Sequence, residues 1–134
     1  AECAVDGREP RAVARPESRE QVAAIVAAAE EAGAAIVPLG NGTHAHLGLP
    51  PARYDLALRT TGLARLVEHD PADMTVTVEA GLTLAALQAA LRPAGQWLPL
   101  DPPQPESVTV GGLLAADLNG GLRLAHGKVR DYLI

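Results

Sequence analysis

Apolar residues recur along this chain with two distinct periods, and the changes of period mark its elements. Residues 11–15 form a short apolar stretch that reads as a strand ended by Pro16. Behind it, Val22, Ile25, Val26 and Ala29 fall on one face of a helix. Ser18 with Gln21 three residues later supplies the capping box that opens this helix, and Gly33 stops it. Residues 34–37 are a short apolar run, as expected of a buried parallel strand that returns after a crossover helix. These segments predict a βαβ unit whose second strand runs straight into Pro38-Leu39-Gly40-Asn41-Gly42-Thr43.

The period then shortens to two. Tyr54, Leu56 and Leu58 alternate, as do Met74, Val76 and Val78, and residues 63–69 are expected to pair with 74–79 as a hairpin across Asp70-Pro71-Ala72-Asp73. Thr83 can cap a second helix with Leu84, Leu87 and Leu91 on one face, ending near Pro93 to Gly95. Residues 97–105 are too rich in proline for a helix interior. Residues 107–110 read as a strand leading into Gly111-Gly112, with one or two helical turns over 113–116. Residues 129–134 read as the start of another strand. The fold expected is α+β: a small βαβ subdomain packed next to a mixed or antiparallel sheet with flanking helices. Because that last apolar stretch has no polar tail behind it, the chain is expected to be an incomplete segment of a longer product.

Composition narrows the function classes. Apolar residues reach 48%, but Phe is absent and aromatic residues make up only 2%, so the core must be built from small aliphatic side chains. The formal net charge is -5 and no Lys or Arg cluster is present, which argues against nucleic acid and anionic membrane surfaces as partners. Cys3 stands alone, so an internal disulfide framework is excluded and a reduced compartment is the simpler expectation. With no targeting segment or spanning apolar run visible, cytoplasmic placement without membrane insertion is expected.

Candidate chemistry concentrates at two glycine sites. Gly40-Asn41-Gly42-Thr43 follows a strand, where glycine allows positive φ and close ligand approach, so several N–H groups can turn toward one anion without a Lys. Gly111-Gly112 opens a short helical segment whose N–H groups are expected to be free for phosphate or ribose oxygens. The alternative for each is purely structural: a tight turn at the first and close packing of backbone at the second. His44 and His46 have no third ligand nearby in sequence, so a metal site is not expected. Glu68, Asp70 and Asp73 fall at the hairpin turn, and Trp97 reads as a packing residue or the flank of a ligand channel. No Ser-His-Asp, Cys-His or paired-carboxylate set is present, so no catalytic side chain is assigned.

Four segments together resemble the FAD-linked oxidases with a flavin domain of the vanillyl-alcohol oxidase or p-cresol methylhydroxylase type. They are Arg15-Pro16-Glu17-Ser18-Arg19-Glu20-Gln21-Val22, Pro38 to Thr43, Val78-Glu79-Ala80-Gly81 with Leu84 and Leu87, and Thr109-Val110-Gly111-Gly112-Leu113-Leu114-Ala115. Residues 97–103 and 127–133 look most like the FAD-binding subunits of glycolate oxidase complexes. The resemblance implies that Pro38, Gly40, Asn41, Gly42, Thr43 and His44 wrap the FAD pyrophosphate. It also implies that Pro99, Val110, Gly111, Gly112 and Ala115 line the path toward the isoalloxazine ring. Leu39 and Asn41 depart from the pattern, which carries Arg or Lys and a third Gly there; Asn tolerates a left-handed conformation, which would preserve the turn. Relatives with covalent flavin have His where Thr43 stands, so the flavin is expected to be noncovalent. The implied activity is oxidation of a small 2-hydroxy acid such as glycolate, in concert with a separate substrate domain, a second flavin subunit and an iron-sulfur subunit. Two readings stay open beside it: a reductase similar to UDP-N-acetylenolpyruvoylglucosamine reductase, and a nonenzymatic nucleotide-binding module.

Overall fold

A computed structural model describes residues 3–134. Strands β1 (Ala12–Ala14), β2 (Ile36–Leu39) and β3 (Leu56–Arg59) form a three-stranded sheet in the order β1-β3-β2, with both pairings parallel. The βαβ unit predicted from the sequence is present, but β3 lies between its two strands. Central placement explains why β3 is buried on both faces, with Ala57 at 0% exposure, and why the alternation of Tyr54, Leu56 and Leu58 does not describe it. As an edge strand, β2 tolerates Pro38, which has no N–H to give to a ladder.

Helix α1 (Arg19–Glu31) links β1 to β2. The Gln21 N–H donates to the Ser18 hydroxyl, while the Gln21 carboxamide oxygen accepts from the Glu17 N–H, one residue earlier than a regular capping box would have it. Its C-terminus closes on Gly33 at φ +60°, with the Gly33 and Ala34 N–H groups donating to the Glu30 and Ala29 carbonyls. Val22, Ile25 and Ala29 form the inward stripe, whereas Val26, expected among them, sits at its rim and stays 43% exposed.

Asp55 ties all three strands together just before β3. Its carboxylate accepts from the Ala35 N–H at 2.9 Å and from the Arg53 guanidinium at 2.7 Å, and Arg11 lies 3.6 Å away. The Ala35 hydrogen bond, then the Arg53 contact, holds the carboxyl below its ordinary value. Because the folded pKa lies below the unfolded one, this stabilisation is present at neutral pH and is lost as pH falls below about 4. Asp55→Asn should therefore be less stable at pH 7 and should lose less of its urea midpoint between neutral and acidic pH than wild type. Parallel pH slopes would remove Asp55 from this account.

Strands β4 (Leu66–Asp70) and β5 (Thr75–Val78) form a separate antiparallel hairpin, as the sequence predicts. Its turn lies one residue further along than expected, over 71–74 in place of 70–73. The Asp70 carboxylate accepts from the Ala72 and Asp73 N–H groups, and Met74, expected in the strand, instead adopts φ +55° with its side chain 81% exposed. Helix α2 (Leu84–Leu91) is capped by Thr83, whose hydroxyl accepts from the Ala86 N–H, and it buries Leu84, Leu87 and Leu91 as predicted.

Two expected strands are absent. Helix α3 (Val110–Ala115) begins where the first was placed, because Thr109 acts as its N-cap and keeps only an isolated bridge to Thr83. Beyond α4 (Arg123–His126), the second is replaced by a 3-10 turn over Val129–Tyr132, in which the Asp131 carboxylate accepts from the Lys128 N–H. Val129 then packs with Leu84, Leu100, Val108 and Leu113 in one core cluster. A second cluster of Cys3, Val5, Tyr54 and Ala57 lies against Val37, Leu39 and Ala45, and the Tyr54 hydroxyl donates to the Cys3 carbonyl at 2.7 Å.

Candidate functional site

Because β2 and β3 are parallel neighbours, the chain must travel back between them, and residues 40–55 make that return. The loop therefore starts at the carboxyl end of a parallel strand, where crevices in open α/β sheets form. Gly42 turns it at φ +74°, with open space where a side chain would stand. Inside the loop, the Ala45 and Leu47 N–H groups donate to the Gly42 and His44 carbonyls. Among the described residues, no acceptor engages the N–H groups of Asn41, Gly42, Thr43 and His44. A run of open donors at a tight turn is a concavity suited to an anion.

Two contacts hold this loop to α3 and the segment before it. Gly40 packs on Thr109 so closely that a Cβ there would collide with the Thr109 hydroxyl. Next to it, the Asn41 carboxamide donates to the Ser107 carbonyl at 2.8 Å. Asn41 keeps a negative φ, so the left-handed conformation expected of it is not why it stands there.

The second glycine pair differs from expectation. The Gly111 N–H donates to the Ala80 carbonyl at 2.8 Å, and the Gly112 N–H donates to the Thr109 hydroxyl at 3.2 Å. Neither is open to a ligand, because the turn that precedes α3 and the 80–84 segment saturate them. Gly111 takes the structural alternative: a Cβ there would lie 2.8 Å from the Ala80 Cβ. Gly112 instead lines the space beneath the loop, where a Cβ would meet the Thr109 hydroxyl at 3.0 Å.

Between loop and α3 lies an open groove of about 310 Å³. It brings together Pro38, Gly40, Asn41, Gly42, Thr43, His44, Gly112 and Ala115 from the sequence-predicted set. Pro99, Val110 and Gly111 do not line it; Pro99 directly precedes buried Leu100. Sequence reasoning missed Thr109, Ala116 and the apolar wall of Val5, Val37, Leu39, Leu47 and Leu49. Thr109 carried the same capping signal as Thr83, a hydroxyl residue just before an apolar helical run. Nothing in the local pattern pointed to Val5, which reaches the groove only through tertiary packing.

Among the described residues, no Lys or Arg lines the groove, so an anion held there would depend on backbone donors. His44 lines it with Nδ1 hydrogen-bonded to the Thr43 hydroxyl at 2.9 Å, and the His46 ring lies 6.2 Å away. No group of three or more His, Cys, Asp or Glu among the described residues is placed to hold a metal ion, and no helix there is long and apolar enough to cross a membrane. Trp97 is 55% exposed against His126, and His69 pairs with the Gln96 carboxamide; both lie off the groove.

Comparison with known proteins addresses the same region. A family model described as FAD binding domain matches residues 10–134. The chain is 36% identical over 100 residues to glycolate oxidase subunit GlcE of Escherichia coli, a match that covers 74% of the chain and 28% of that subunit. It is 32% identical over 124 residues to D-2-hydroxyglutarate dehydrogenase of Xanthomonas citri pv. viticola, covering 92% of the chain and 26% of the enzyme. Among solved structures, it superposes on an alkyldihydroxyacetonephosphate synthase with a TM-score of 0.79 at 26% identity, over 89% of the chain and 24% of the synthase. The chain thus spans about a quarter of the length of the relatives it matches, 28% and 26% for the two enzymes.

Proposed function

The chain belongs to the FAD binding domain family, and from that premise we propose that it is the cofactor-holding part of a longer oxidoreductase that oxidises small 2-hydroxy acids. The observation that carries this reading is the convergence, on one groove without basic side chains, of the open N–H groups of residues 41–44 and the small residues Gly112 and Ala115 of α3. A diphosphate needs several donors on a concave surface, and here the main chain supplies them. When bound, FAD supplies the acceptor for the electrons leaving the substrate.

The chain's own residues position it. The N–H groups of Asn41, Gly42, Thr43 and His44 would hold the diphosphate, and Gly42 would let it approach. Gly112, Ala115 and Ala116 keep the opposite wall low and would leave room there for the cofactor. Val37 and Leu39 form the apolar side of the groove, with the exposed Leu47 and Leu49 at its rim. Pro99 and Val110 are left out of this contact set, and Gly111 acts from behind the groove. Since the groove is smaller than a whole dinucleotide, the rest of the cofactor and the substrate would meet other parts of the full protein.

Glycolate is the narrowest substrate reading, supported by the likeness to a glycolate oxidase subunit, and that likeness also supports an assembly with further subunits; a second flavin subunit and an iron-sulfur subunit are our extension of it. Titration of the purified chain with FAD should give saturable quenching of flavin fluorescence, and acid precipitation should leave all of the flavin in the supernatant. A chain that takes up no FAD would overturn the cofactor reading, and flavin retained in the pellet would overturn noncovalent attachment. Turnover of glycolate, lactate and 2-hydroxyglutarate by the full-length protein would then rank the substrates.

A further inference from the structure

We infer that Asn41 is a positioning residue: its carboxamide clasps the 40–44 loop to the Ser107 carbonyl and sets the groove before the cofactor arrives. The bond is 2.8 Å long and joins residues 66 positions apart. The other hydrogen bonds within the loop are local, from Ala45 to Gly42, from Leu47 to His44 and between Thr43 and His44. Nothing lies within 4 Å of where a Gly42 side chain would stand, so no packing at that point fixes the apex. Among the described residues, the Gly40 contact with Thr109 and the Asn41 clasp tie this turn to the segment before α3.

The anchor at the other end is fixed. Ser107 donates its N–H to the Gln104 carbonyl and is followed by Val108 and Thr109, which are 0% and 1% exposed. Thr109 in turn caps α3. A carboxamide on the loop that bonds to this segment therefore transmits the position of α3 to the donors of residues 41–44. Because Asn41 keeps negative φ, its side chain, not its backbone tolerance, is what the position uses. Ordering the loop in advance removes that entropic cost from binding and raises the fraction of chains ready to accept a ligand.

The identity of the ligand rests on the FAD reading above; the clasp itself does not, and two arms separate them. In the first, hydrogen exchange is followed on the cofactor-free chain for wild type, Asn41→Ala and Asn41→Asp. Both variants should exchange faster at the Ala45 and Leu47 amides, with the Leu113 amide and the unfolding midpoint unchanged. Unchanged loop exchange overturns the clasp whether or not FAD binds. In the second arm, stopped-flow mixing of the chain with FAD should show association by Asn41→Ala slowed about two- to tenfold, the range of one hydrogen bond, with dissociation little altered. Asn41→Asp should be slower still, since its carboxylate has no proton to offer Ser107 and repels a diphosphate. Faster loop exchange with unaltered association overturns the role in setting the groove, while failure of wild type to bind FAD overturns the cofactor reading and leaves the first arm to decide the clasp.

Discussion

Gly40→Ala should weaken FAD binding about 10- to 100-fold while leaving the three-stranded sheet folded. The added Cβ would overlap the Thr109 hydroxyl and lie 3.1 Å from two Thr109 carbons. Thr109 cannot move aside: it is 1% exposed, caps α3, accepts from the Gly112 N–H and bridges to Thr83. The loop must yield instead. Overpacking of this kind costs about 1–3 kcal/mol, and each 1.4 kcal/mol is a factor of about ten if the cost falls on the ligand-ready conformation. Trimming the obstacle tests the cause. Thr109→Ala on its own removes a helix cap, a loss of about 0.5–2 kcal/mol in stability, yet in the double variant it should restore part of the binding that Gly40→Ala removes. Fluorescence titration of the four proteins gives the coupling directly. Additive losses in the double variant would show that the two residues do not communicate.

How much of this groove could be read from the sequence depends on how local each determinant is. Ser18 and Thr83 announced their helices because a cap and an apolar stripe lie within a few residues of each other. The loop from Gly40 to His44 was legible for the same reason, a glycine-rich stretch directly behind an apolar run. The position of β3 was not, since pairing between Ala12 and Leu56 leaves no mark on the residues between them. Thr109 was hidden by its neighbours: Val108 and Val110 are strand formers by propensity, and tertiary context overrode them. The Gly111 donor was misread because its acceptor, the Ala80 carbonyl, lies far back in the chain. Asn41 was recognised as unusual, but a departure from pattern shows only that something differs, and its partner at Ser107 appears only in three dimensions.

That correction at Gly111 leads to the second large effect. Gly111→Val should unfold the chain more easily by about 3 kcal/mol, and FAD affinity of the molecules that remain folded should change much less. A Cβ at this position would lie 2.8 Å from the Ala80 Cβ and 3.0 Å from the Ala80 carbonyl oxygen, with a valine's methyl groups beyond it. Here the backbone is stitched across two segments: Val110 donates to the Leu82 carbonyl, Gly111 to Ala80, and Leu84 to Val108. Pushing α3 away would strain this set and lift Leu113, 1% exposed, out of the core it shares with Leu84 and Val108. Overpacking accounts for about 1–3 kcal/mol and each lost hydrogen bond for about 1 kcal/mol. Urea denaturation measures the first expectation, and FAD titration corrected for the folded fraction measures the second. If Gly111 instead donated to the cofactor, the pattern would reverse, with native stability kept and affinity lost. The Gly40 and Gly111 variants should therefore fall on opposite axes, one in binding and the other in folding, although both glycines belong to the same pair of motifs.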